Sequence, residues 1–215
     1  MEVANWLLPL GPVVAIAGYF GPWIAHETAA LTITGAELAE AVKFYPQVQS
    51  GAAAITRELF FAPLVAAAIL LGLLVNRPTG GSELPLGLRL RLPLTGLALL
   101  FCLAVLPPYQ YLTDPFYRVQ LGLSIAMALA TVLTLFARHL SRRIWANLII
   151  DLSMFGLGLG LWQFMRFYAL VPSVYDASPP LGWGLIACAL GYMMIILGGG
   201  LTFVFASLGS SPPGS

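Results

Sequence analysis

Along the chain, long apolar stretches alternate with short polar connections, and six of these stretches have the length of helices that cross a bilayer. A crossing needs about 20 predominantly apolar residues. Bounded by charges, prolines and aromatic residues, the expected spans are 6–25, 59–76, 92–112, 119–137, 147–167 and 183–205. The pattern predicts an all-α integral membrane protein: a single domain over residues 1–215, a bundle of six transmembrane helices, with a short amphipathic helix over 35–45 in the first outer loop. The first stretch has no basic residue before it, and Trp23 stands where a small residue would precede cleavage after Ala25, so a retained span is expected there rather than a signal peptide.

Two connections carry patterns of their own. In 26–58, Thr34 and Glu37 have the spacing of a capping box, with Ile33 and Leu38 at the staple positions. A helix from there places Leu38, Ala41, Val42 and Tyr45 on one face and Glu37, Glu40 and Lys43 away from it, and Pro46 ends it. Such a helix lies flat on the outer interface, caps a cavity or docks a partner. In 77–91, Leu84, Leu86, Leu88, Leu90 and Leu92 alternate with Pro85, Gly87, Arg89 and Arg91. Period two predicts an extended segment. Its leucines would dip into the interface while its arginines meet lipid phosphates, or it offers an edge to a cytoplasmic partner. Pro63 is expected to kink the second span, and Pro107-Pro108 to end the third.

Composition agrees with the pattern. With 59% hydrophobic and 9% charged residues, a water-facing globule of this size lacks the charge to cover itself. A net charge of +1 without a basic cluster excludes a nucleic-acid partner. The partners left are the lipid bilayer and other membrane-protein subunits. Arg77, Arg89, Arg91, Arg138, Arg142 and Arg143 fall on one side, against Lys43, Arg57, Arg118 and Arg166 on the other. That bias puts both termini in the cytoplasm, in what reads as a bacterial inner membrane. The halves show no inverted repeat of the kind that builds many transporters.

Few residues are left for chemistry. Asp151 lies inside the fifth span, where a charge costs at least ~2.5 kcal/mol. It either anchors the helix end by pairing with a nearby arginine or handles ions. Trp162, Gln163, Arg166, Phe167 and Tyr168 read as an interfacial anchor, with Gln163 free to bond a neighbouring helix. His26 and His139 fall on opposite sides of the bilayer, which excludes a shared haem or metal. Cys102 and Cys188 read as small buried apolar residues. Gly156 and Gly160 form a G-x-x-x-G face for close helix approach, and Gly184, Ala187, Cys188, Gly191 and Gly198 form a second small-residue stripe. Spans five and six are expected to pack through these stripes, or one of them meets another subunit. No hydrolase, metalloprotease or nucleotide motif is present, so no catalytic residue, cofactor or metal is expected.

The run Gly21-Pro22-Trp23-Ile24-Ala25-His26, followed by Leu31, Gly35 and Leu38 to Phe44, resembles a group of bacterial membrane proteins from Chloroflexota-like genomes. The similarity covers a minor part of the chain and implies no activity. The leading expectation is a non-catalytic subunit or accessory component of a membrane transport or other membrane complex. The alternatives are a small transporter or channel using Asp151, and an intramembrane lipid-modifying enzyme.

Overall fold

The computed structural model describes residues 2–26, 32–78, 88–175 and 179–208. Its long helices are α1 (Glu2–Phe20), α2 (Ala62–Val75), α3 (Leu88–Leu103), α4 (Arg118–Leu133), α5 (Arg142–Tyr168) and α6 (Trp183–Leu208). Four helical stretches, Arg57–Val75, Pro115–His139, Arg142–Tyr168 and Trp183–Ser207, are long and apolar enough to cross a membrane. The protein is an integral membrane protein. The apolar parts of α1 and α3 are shorter, Trp6–Phe20 and Arg91–Leu103.

The ends of these helices differ from the sequence expectation for local reasons. The first helix stops at Phe20, not residue 25, because Gly21-Pro22 breaks it. Pro22–Ile24 then runs as a short strand, β1, antiparallel to β2 (Ile33–Thr34), and Ile24 also bridges to Leu181. The second apolar stretch begins as a 3-10 segment, Arg57–Phe61, and becomes α-helical at Ala62. Pro63 therefore sits in the first turn of α2, where a helix does not need its N–H, and marks this change rather than a kink. The third helix ends at Leu103, well before Pro107-Pro108, and Tyr109–Tyr111 form a separate 3-10 turn.

The extended segment expected over 84–92 is corrected in its second half: the chain is helical from Leu88, while Leu84, Pro85, Leu86 and Gly87 lie outside the described residues. Residues two apart on a helix point to nearly opposite sides. Arg89 accordingly faces out, and Arg91 turns inward to donate from Nε and Nη2 to Asn76 Oδ1, at 3.1 and 2.8 Å. Buried Asn76 in turn donates to the Thr95 hydroxyl, which ties the end of α2 to α3.

In the connection between α1 and α2, Glu37 accepts from the Thr34 amide as expected, but the Thr34 hydroxyl donates to the same carboxylate oxygen instead of capping the Glu37 amide. The helix begins only at Leu38, runs one α turn to Ala41, and tightens to 3-10 over Val42–Phe44. Leu38, Ala39, Val42 and Tyr45 are buried in the protein core, with the Tyr45 ring edge-on to Phe167 at 4.7 Å. The apolar face meets the bundle.

α2 sits at the centre and packs on α1, α3, α4 and α5. α1 and α6 run antiparallel over their lengths at very short range. A Cβ on Gly191 would stand 2.6 Å from the Gly11 carbonyl oxygen, and one on Gly198 would stand 2.8 Å from Leu8 Cγ. One on Gly184 would stand 2.6 Å from the Gly21 oxygen. The stripe of the sixth helix thus faces α1, although α5 and α6 also pack together through another side. Gly156 and Gly160 face α2 and Tyr192, where added Cβ atoms would meet the Tyr192 hydroxyl at 3.0 Å and Pro63 Cδ at 3.1 Å.

Candidate functional site

One end of the bundle collects the described parts of the connections 21–61, 104–117 and 169–182, with long-range side-chain bonds from Lys43, Gln47, Arg57, Gln120 and Gln163. Arg57 is its centre. The 3-10 segment that begins with Arg57 turns its side chain toward the start of α4, where it is almost wholly buried. Nε donates to Glu58 Oε1 at 3.0 Å, Nη2 donates to Gln120 Oε1, and Nη1 is buried with no hydrogen-bond partner among the described residues. Gln120 passes the connection on, donating from Nε2 to the Val105 carbonyl at 2.9 Å. The guanidinium carbon lies 4.6 Å from the ring centroids of both Phe116 and Tyr117.

Lys43 reaches the same two rings from the connection between α1 and α2, with Nζ 4.7 Å from the Tyr117 centroid and 5.3 Å from that of Phe116. It pairs with Glu40 and bonds the Tyr117 hydroxyl at 3.0 Å. Two cations with their own carboxylates thus share one aromatic pair. Desolvated cation–π contacts contribute about 2 kcal/mol each, exposed ones about half or less. The cluster fastens the first connection to the turn between α3 and α4. Gln47, which donates to the Ser173 hydroxyl at 2.9 Å, fastens the same connection to the segment after α5.

The other sequence candidates are spread over the molecule. Gln163 is fully buried and donates to the Thr56 carbonyl at 3.0 Å, so it holds the entry to the second span instead of reaching an outside helix. The expected aromatic anchor at that end of α5 is split. Arg166 and Trp162 point outward with the guanidinium 5.2 Å from the indole centroid, while Phe164 and Phe167 are in the core. Glu37, Glu40 and Lys43 are used within the loop and on Tyr117; Arg89 is exposed and Arg91 is bonded to Asn76. His26 and His139 lie at opposite ends of the bundle, and among the described residues no three His, Cys, Asp or Glu side chains come together. Arg57 is the residue that sequence reasoning missed. Its signal was a charged pair, Arg57-Glu58, directly abutting the most apolar span.

Asp151 is different. It lies eight residues past Arg143, about 12 Å along the helix axis at 1.5 Å per residue. It is exposed on α5 and has no ion-pair partner among the described residues. The expected pairing with a neighbouring arginine is absent: Arg143 donates instead to the Ser207 carbonyl at 3.3 Å. Asp151 stands in a side cleft of about 590 Å³ that opens where α4 and α5, consecutive helices, make almost no contact with each other. Ile69 and Leu73 of α2 form its floor, Leu133 and Phe136 one wall, and Leu148 and Phe155 the wall that carries Asp151. The cleft is apolar apart from this carboxylate and Thr134, whose hydroxyl is spent on the Thr131 carbonyl.

No protein-family model, no curated protein and no solved structure matches this chain.

Proposed function

We propose that this protein is a non-catalytic subunit or accessory component of a membrane complex, of which a transport assembly is one form. The observation that supports the reading is Asp151, a carboxylate inside the fifth span that stands on the outer flank of the bundle without an ion-pair partner among the described residues. Charges inside spans ordinarily face the bundle interior or pair with one another, because lipid solvates them so poorly. A bundle that turns such an acid outward is built to be covered. The described part of the centre is apolar: α2 carries Leu64, Ala67, Ala68 and Leu70 buried along its length, with Phe164 and Ile195 in the same core.

In this reading six helices cross the membrane. The two shorter ones take part because α1 packs antiparallel against α6 from Gly184 to Gly198 and α3 is tied to α2 through Asn76. The arginine-rich connections put both ends of the chain in the cytoplasm of a bacterial inner membrane. The small-residue faces serve packing inside the chain. The test is the native size of the protein. Solubilised from its own membrane in a mild detergent, it should migrate as a complex larger than one chain, and migration as a lone monomer overturns the proposal.

A further inference from the structure

Resting on the subunit reading, we infer that the cleft between α4 and α5 seats a transmembrane helix of a partner protein, and that this helix carries a lysine or arginine that pairs with Asp151. Charge complementarity supports it first. Asp151 is ionisable, exposed and without an ion-pair partner among the described residues, and of the nearby arginines Arg143 donates to the Ser207 carbonyl and Arg91 to Asn76. A cation from another molecule would complete the site.

Shape supports it second. The cleft has the central helix as its floor; one wall is the end of α4 at Leu133 with the 3-10 segment Thr134–His139 and Leu140 that follow it, and the other is α5, whose Leu148, Asp151, Leu152 and Phe155 recur at helical spacing. Rows three and four residues apart form the ridges and grooves into which another helix packs. Depth supports it third. On the span expected over 147–167, Asp151 lies four residues, about 6 Å, inside the membrane-crossing part of α5, and a long basic side chain on a partner helix reaches it at its own level.

The experiment uses the full-length protein in proteoliposomes with a defined probe, a leucine-alanine transmembrane peptide carrying one lysine at the depth of Asp151, and a control peptide with leucine there. Binding is read by energy transfer between labelled peptide and protein. The lysine peptide should bind about tenfold more tightly than the control, and Asp151→Asn should abolish that preference. Phe155→Lys gives a second variant at an exposed position. It sets a cation one turn from Asp151, so the acid is satisfied within the chain. It should abolish the preference as well. Equal binding of the two peptides, or a preference that survives both substitutions, overturns the inference.

Native membranes separate this inference from the reading beneath it. If the protein migrates as a lone monomer, the subunit reading fails and takes the inference with it. If it migrates as a complex whose size is unchanged by Asp151→Asn and by Phe155→Lys, only the cleft inference fails.

Discussion

Substitution of Gly18 by alanine tests how the first and last helices are held together. A Cβ at this position would lie 2.7 Å from both the Gly184 carbonyl oxygen and Cys188 Cα, and closer still to the Cys188 amide. All three are backbone atoms, so no side-chain rotation makes room. Ordinary contact begins at about 3.5 Å, so the two helices must separate by close to 1 Å, a gap that forfeits a quarter to a half of the dispersion energy along the seam. Overpacking of this kind costs about 1–3 kcal/mol. For a chain of this size each kilocalorie shifts the midpoint by about 2–4 °C, so Gly18→Ala should melt some 2–12 °C lower in mild detergent. Gly158→Ala is the control: nothing lies within 4 Å of its Cβ position. There alanine should be neutral or gain up to about 1 kcal/mol from helix propensity. If Gly18→Ala melts like the parent, or Gly158→Ala is equally damaging, the α1–α6 packing described here is wrong.

Three further outcomes follow from the polar contacts. Gln120→Leu removes the acceptor for Arg57 Nη2 and should cost about 1–3 kcal/mol, because a buried charged donor is left unmet; an unshifted midpoint would show that Arg57 is not held there. Asn76→Ala takes the acceptor from Arg91 and the bond from Thr95, with a loss of about 1–3 kcal/mol measured the same way. Lys43→Met keeps the stem and removes the cation from Phe116, Tyr117 and Glu40, so limited proteolysis within 46–56 should accelerate while the melting of the bundle stays near the parent's. Equal protease resistance in the two proteins would refute the fastening role of Lys43.

The membrane character and the apolar stretches were legible in the sequence because length and hydropathy carry that information without reference to neighbours. Helix ends were less so. Gly21-Pro22 was read as part of a span, and the Arg89-x-Arg91 alternation as extended, since local pattern alone does not reveal that Arg91 has Asn76 to turn toward. Which face of a span meets which neighbour was hidden for a plain physical reason. Helices that are apolar all round have no polar side to point away from the core.

The candidate sites show the same division. Thr34 and Glu37 announced a turn, but whether Leu38, Val42 and Tyr45 would enter the membrane surface or the protein was decided by Phe167 and the helices around it. The spacing Arg57-Glu58 said nothing of Gln120, which lies 63 residues away in sequence and meets it only in the fold. The depth of Asp151 in its span is a property of the sequence, counted in residues from Arg143. Its direction is not: the separation of α4 from α5 over the floor of α2 puts this carboxylate on the flank of the bundle, facing whatever lies beside it in the membrane.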